Sequence, residues 1–202
     1  MLEYKSQYLK YLLPETPSAI LEYGCGIGMN MPYLRKYFPD TQLFGCDISD
    51  KSISLAKENF KDCTFNAIKS VDDLNLYKNK IDVVFVSCVF HHIPFDQHEI
   101  WLDGLYDLLK DDGYIIIFEM NLKNPLTKRL VSKSPVDRDA NFLNSEYCKR
   151  MVQKAFGKSS PVKLYYTYFF PWRNEVFTWI EHKLLWLPLG AQYCVMAPKT
   201  VE

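Results

Sequence analysis

Two kinds of apolar pattern alternate over roughly the first 120 residues. Residues 20–23, 42–47, 81–87 and 114–119 read as short strands, of which 81–87 and 114–119 are near-continuous β-branched and aromatic runs. Such runs suit strands buried on both faces of a parallel sheet. Residues 63–67 read as a weaker third strand. The intervening stretches have apolar positions at helical spacing. Residues 31–38 follow the first run. Ile53, Ala56 and Phe60 follow the second, behind Ser49 as N-cap. Ile100, Trp101, Leu105 and Leu108 follow the fourth, behind a capping box of Asp96 and Glu99. Strands alternating with helices predict an α/β chain with a doubly wound, mostly parallel sheet. Ahead of it, Tyr4, Tyr8, Leu9, Leu12 and Leu13 keep helical spacing as far as Pro14. That helix either covers a sheet edge or serves as a lid.

Composition narrows the class. A chain of 202 residues, 48% apolar, suits a single α/β domain. Lys+Arg and Asp+Glu are both 24, and this balance argues against a nucleic-acid binder. The six cysteines are scattered without a C-x-x-C pair, so neither a metal site nor a disulfide framework is expected. Free cysteines point to a reducing cytoplasmic setting. The N-terminus lacks a signal-peptide pattern, and no apolar run is long enough to span a membrane.

The first strand runs into Glu22-Tyr23-Gly24-Cys25-Gly26-Ile27-Gly28-Met29-Asn30. A glycine-rich turn between strand and helix lets a ligand approach bare backbone. A plain tight turn and a dinucleotide site of the G-x-G-x-x-G type compete here. The dinucleotide reading is weakened by Met29 at the third glycine position. Asp47 stands about 20 residues further on, the spacing at which an acid accepts hydrogen bonds from ribose hydroxyls. With Ser49 capping the next helix, Asp47 is expected to be free for that role, with Ile48 against a base. Ligands on such sheets bind beyond the carboxyl ends of the strands. The site should therefore gather residues 22–30, 47–49, 66–67, 87–92 and 119–121.

Four stretches together resemble the class I S-adenosylmethionine (SAM) methyltransferases, in particular the small-molecule type that includes quinone-biosynthesis enzymes. They are Leu21-Glu22-Tyr23-Gly24-Cys25-Gly26-Ile27-Gly28, Gly45-Cys46-Asp47-Ile48-Ser49, Ser87-Cys88-Val89-Phe90-His91-His92-Ile93 and Asp111-Asp112-Gly113-Tyr114-Ile115-Ile116-Ile117. The resemblance implies SAM as cofactor, S-adenosylhomocysteine as product and no metal. It implies a seven-stranded sheet ending in an antiparallel hairpin, for which residues 162–170 and 191–197 are the candidates. Glu22, Gly24, Cys25, Gly26, Gly28, Asn30, Asp47, Ile48, Ser49, Asn66, Ala67 and Ser87 become the candidate cofactor residues. Family members often carry an Asp after the third strand for the adenine amino group; here Asn66 stands nearby. The expected organisation is a helical lid over 1–17, a SAM-binding core over 18–119, an acceptor lid over 120–144 and C-terminal sheet and helices over 145–202.

Methyl transfer to a hydroxyl calls for a base, and histidine suits it. His92 is the first candidate. His91 is expected to pack or to fix the loop, because neighbours in a strand-end stretch point in opposite directions. Glu119 is a further candidate whose alternative role is to bond loop backbone. His98 and His182 are expected on helix surfaces. Methylation of nitrogen, where no base is needed, and SAM binding without turnover are the competing functions. The acceptor is signalled by Lys123, Lys128, Arg129, Lys133 and Arg138, opposed only by Asp137 and Asp139 in a long connection. This basic excess suits an anionic small molecule, a saccharide or a lipid-linked intermediate. Near the C-terminus Val176, Ile180, Leu184 and Leu187 share one helical face, and Trp179 and Trp186 another. The tryptophans are expected to line an acceptor pocket, touch the cytosolic face of a membrane, or be buried.

Overall fold

The computed structural model describes residues 2–133, 140–157, 160–172 and 174–200. The expected strands form, with little change of boundary. They are β1 (Ala19–Tyr23), β2 (Gln42–Asp47), β3 (Thr64–Ala67), β4 (Ile81–Ser87), β5 (Leu109–Met120), β6 (Lys163–Thr167) and β7 (Gln192–Pro198). They make one sheet in the order β3-β2-β1-β4-β5-β7-β6. Strands β1 to β5 pair in parallel, and β7 runs antiparallel to both β5 and β6. This is the doubly wound, seven-stranded sheet with an antiparallel C-terminal pair that the sequence predicts. Strand β5 starts earlier than expected: Leu109 pairs with Ile81, and the register shifts before Val83 pairs with Tyr114.

Continuous apolar runs are needed because both faces of the sheet are covered. Leu21, Val84, Val86, Ile115 and Ile117 face one layer, which includes α4 (His98–Leu108) and α6 (Ser145–Phe156). Ile20, Val83, Phe85, Ile116 and Phe118 face the other, with α1 (Leu2–Leu12), α2 (Met31–Tyr37) and α3 (Asp50–Asn59). Alternate residues of a strand point to opposite faces, so each strand feeds both cores.

Three local readings are corrected. Asp96 and Glu99 do not cap α4: residues 95–97 form a short 3₁₀ turn, and Gln97 stands at the N-cap without a side-chain bond. Glu99 instead pairs with Lys154 on α6 at 2.6 Å. The connection after β5 is partly ordered as α5 (Pro125–Val131), because Asn124 caps it by accepting from the N–H groups of Leu126 and Thr127. Asp137, Arg138 and Asp139 lie outside the described residues. Lastly, α7 (Glu175–Leu184) turns Val176 outward, 64% exposed, alongside Trp179 rather than inward with Ile180 and Leu184.

Candidate active site

The glycine turn sits at the carboxyl end of β1, between the ends of β2 and β4. Gly24, Gly26 and Gly28 all have positive φ. They differ in what surrounds them. A Cβ on Gly24 would lie 2.4 Å from a methyl of Val89, whereas one on Gly26 would meet nothing within 4 Å. Gly24 is therefore held by packing. Gly26 presents its bare face to open space. Asp47 fixes this turn: its Oδ2 accepts from the Gly26 N–H at 2.8 Å and its Oδ1 from the Ser49 N–H at 2.9 Å. Asp47 is thus not idle as expected, although each oxygen keeps a second lone pair. Ser49 does cap α3, accepting from the Ser52 N–H at 3.2 Å.

Beside the turn is a cavity of about 470 Å³, whose lining includes Gly24, Asp47, Ile48, Val89, His92 and Trp101. Ile48 is 66% exposed at its edge. The Trp101 ring stands 5.6 Å from that of Tyr23. Its helical spacing on α4 made it look like ordinary core. Lys69, another wall residue, closes one side by pairing with Asp50 at 2.7 Å. Asn66 points elsewhere, donating to the Tyr77 hydroxyl at 2.7 Å, and neither it nor Ala67 lines the cavity.

Behind the turn is a buried polar cluster that sequence reading found only in part. Glu22 is 1% exposed and bonded by the Asn30 side-chain amide, yet its Oε2 has no partner. Burial pushes the Glu22 carboxyl up to about 8, against the pull of the Asn30 bond and of Lys5. Lys5 was missed altogether. It is 3% exposed on α1 and donates to Ser87 Oγ at 2.6 Å and to Cys88 Sγ at 3.5 Å. No carboxylate among the described residues lies within ion-pair distance of it. A buried cation and a buried carboxyl without full partners are costly unless a ligand completes them. Together they are suited to a zwitterion.

The Glu22 shift has a stability consequence. Below about pH 4.5 folded and unfolded chains both hold the proton. Between there and about pH 8 only the folded chain does. Stability of the free protein therefore falls through that window, by roughly 1.4 kcal/mol per pH unit, and levels off above it. Denaturant unfolding at stepped pH should show this slope in the wild type and lose it in Glu22→Gln. Parallel profiles would refute the assignment.

Cys88 has a φ of 59°, a left-handed conformation that turns the chain out of β4 into a 3₁₀ turn at residues 90–92. Both histidines stand on this turn rather than on a strand end, and their rings lie 4.2 Å apart instead of pointing in opposite directions. His91 is buried, with Nδ1 2.6 Å from Glu119 Oε2, and its ring stacks on Phe142. Glu119 Oε1 accepts from the Phe90 N–H at 3.0 Å. Glu119 therefore braces the turn, and His92 is the histidine that reaches the cavity. His98, expected on the surface, is 1% exposed, with Nε2 3.0 Å from the Phe90 carbonyl and 2.9 Å from that of Ile93. It is the third brace of the same turn. His182 is half-buried and stacks on Tyr11.

The strand order, the antiparallel last pair and a glycine turn facing a cavity beyond the strand ends define the Rossmann-like fold of the SAM-dependent methyltransferases. Residues 21–115, just under half of the chain, match the family described as "Methyltransferase domain". Over its whole length it superposes on a SAM-dependent methyltransferase from Archaeoglobus fulgidus, with a TM-score of 0.68 at 19% identity, covering 98% of this chain and 95% of that one. It also superposes on the plantazolicin methyltransferase BamL, whose structure holds a triazolic desmethylPZN analog and SAH (TM-score 0.70, 20% identity, 99% and 83% covered). Among curated sequences it is 25% identical over 131 residues to the demethylmenaquinone methyltransferase of Thermotoga maritima, covering 65% of this chain and 55% of the relative. It is 35% identical over 98 residues to a malonyl-[acyl-carrier protein] O-methyltransferase of Ilyobacter polytropus, covering 48% and 35%. The chain thus spans about half the length, or less, of these curated relatives.

Proposed function

We propose that this protein transfers a methyl group from SAM to a hydroxyl of a small anionic acceptor, a saccharide or a lipid-linked intermediate. The observation that carries the proposal is the cavity that joins the Gly24–Asp47 edge to His92, backed by the buried Glu22 and Lys5. The residues present fit SAM. The unpartnered Glu22 Oε2 suits its ammonium, and Lys5 its carboxylate. The free lone pairs of Asp47 suit the ribose hydroxyls, and exposed Ile48 suits the base. Asn30 orients the Glu22 carboxyl. Bound SAM supplies a methyl group already activated on a sulfonium. The chain has then to hold the acceptor in line and keep water out. His92 would take the acceptor's proton on a ring nitrogen. His91 and Glu119 would hold its turn in place. Helix α1 would serve as the lid that carries Lys5, and residues 120–144 as the acceptor lid.

The anionic acceptor is inferred from the basic connection. Lys123, Lys128, Arg129 and Lys133 are its exposed charges, and no acid lies among residues 121–133. A lipid-linked acceptor would bring the protein to the cytosolic face of a membrane. The test is incubation with radiolabelled SAM and fractionated cell extract, followed by mass spectrometry of the labelled product. The product should carry a phosphate or carboxylate, and Arg129→Ala should raise the acceptor KM roughly tenfold with SAM affinity unchanged, the scale of one charged hydrogen bond. A neutral aromatic acceptor turned over equally well by that variant would overturn the acceptor class.

A further inference from the structure

Helix α7 keeps large apolar side chains on its solvent side, although Ile180 and Leu184 turn inward. Its one fully buried residue is Glu181. Trp172, Val176, Trp179 and Trp186 recur at spacings of three, four and seven and stand 63–73% exposed. Phe177, Ile180 and Leu184 are only part-buried, and a polar anchor adds to what holds the helix down. Glu181 Oε1 accepts from the N–H groups of Phe169 and Phe170 at 2.7 and 3.1 Å. Its Oε2 accepts from the hydroxyls of Tyr4 and Tyr8 at 2.7 and 3.4 Å. A buried carboxyl group bonded on both oxygens is a strong anchor for a helix. Trp172, Val176, Trp179 and Trp186 stay outside, and none of them lines the cavity of the candidate site. An exposed apolar patch of this kind marks a docking surface.

The patch extends onto α5. Asn124 Nδ2 donates to the Leu189 carbonyl at 2.6 Å, and Thr127 Oγ1 to that of Ala191 at 3.1 Å. These bonds set the N-terminal end of α5 beside the loop that follows Trp186. Leu126, Leu130 and Leu189 are exposed there, at 65%, 64% and 55%. The surrounding charge is positive. Lys183 lies 5.8 Å from the Trp179 ring centre, and Lys128 and Arg129 flank the α5 leucines. Against them stand the exposed acid Glu175, in the first turn of α7, and Glu3 of α1, which lines the same surface hollow as Trp179 and is paired with Lys36 at 2.6 Å. A chain of zero formal net charge has thus gathered tryptophan, leucine and lysine on one surface. Tryptophan and lysine of this arrangement match the interfacial and headgroup regions of an anionic bilayer.

We propose that α7 and α5 form a docking surface for an anionic lipid bilayer. The surface lies at the site's end of the sheet. Thr167 of β6 and Met120 of β5 both pair with Gln192, so α7 and α5 leave and rejoin the strands where β1 and β4 also end. Docking would bring the mouth of the site to the headgroups. The surface needs neither cofactor nor turnover, so its test is independent of the methyl-transfer reading.

The test is flotation of the full chain with vesicles of phosphatidylcholine, alone or mixed with phosphatidylglycerol, while tryptophan emission is followed. The wild type should bind the mixed vesicles with a blue shift and bind the neutral ones poorly. Trp172→Ala with Trp179→Ala should weaken binding at least about tenfold through lost apolar contact. Lys128→Glu with Lys183→Glu should weaken it about 30-fold or more, the scale of two lost surface charges. All four residues are exposed, so the two pairs can be checked separately for folding by circular dichroism. No binding to mixed vesicles, equal binding to both kinds, or indifference to either pair of substitutions would overturn the proposal. So would sedimentation showing a dimer that the tryptophan substitutions dissociate, which would assign the surface to a second copy of the chain.

Discussion

Gly26→Arg combined with Asp47→Ala is expected to abolish SAM binding while leaving the protein folded. In the wild type, calorimetry should give micromolar affinity. The double variant should lose at least about 100-fold. Removing the Asp47 carboxylate takes away a charged acceptor, worth roughly 1.5–3 kcal/mol by itself. The arginine then projects into the space that the bare backbone leaves open. The fold should survive because a Cβ at Gly26 meets nothing within 4 Å. The costs are the φ of 53°, about 1–2 kcal/mol for a side chain there, and the two N–H bonds that Asp47 accepts, whose donors lie in a part-buried turn open to water. Gly24→Ala makes the opposite case. Its Cβ would press on Val89, so it should lower the melting temperature as well as the affinity. Lys5→Met should leave a folded protein that binds SAM about tenfold more weakly. Unchanged binding in the double variant, or in Gly26→Arg alone should the pair not fold, would reject the site.

His92→Ala should slow methyl transfer about 10²-fold or more, with SAM affinity unchanged, once the labelled acceptor is in hand. Single-turnover rates and calorimetry separate these two quantities. The contrast with its neighbour makes the test specific. His91→Ala removes the partner of buried Glu119 and should destabilise the fold by about 1–3 kcal/mol. Its effect on rate should follow loosening of the turn, and lower temperature should partly restore the rate. Near-normal turnover in His92→Ala would remove the base from this position. Transfer to nitrogen, for which no base is required, would then become the better reading.

The strands, their order of appearance and the glycine turn are all legible from residues 18–119, because each depends on nearest neighbours. A buried parallel strand needs a continuous apolar run, and β4 is read directly from Ile81–Ser87. Asp47 is legible for the same reason: it ends a strand at a fixed distance from the turn. The antiparallel β6 and β7 follow from the family resemblance, not from any local signal. The two histidines show where local reasoning stops. Opposite orientation was expected of a strand end, but a 3₁₀ turn sets the two rings 4.2 Å apart, and the partner that holds His91 lies 28 residues away.

Lys5, Trp101 and α7 belong to the tertiary structure alone. Lys5 is one lysine among helical residues until α1 packs on the sheet and carries it to Ser87, 82 residues along the chain. Trp101 has the spacing of a core residue and becomes a cavity wall only because the turn after β4 leaves space beside it. The helical period of α7 gives its faces but not all that each one buries. Apolar periodicity turns Ile180 and Leu184 inward but misplaces Val176, and it gives no sign of buried Glu181, which meets two backbone N–H groups and two tyrosine hydroxyls from the far end of the chain. Local sequence fixes what an element is. Which of its sides is needed depends on partners that only folding brings within hydrogen-bonding reach.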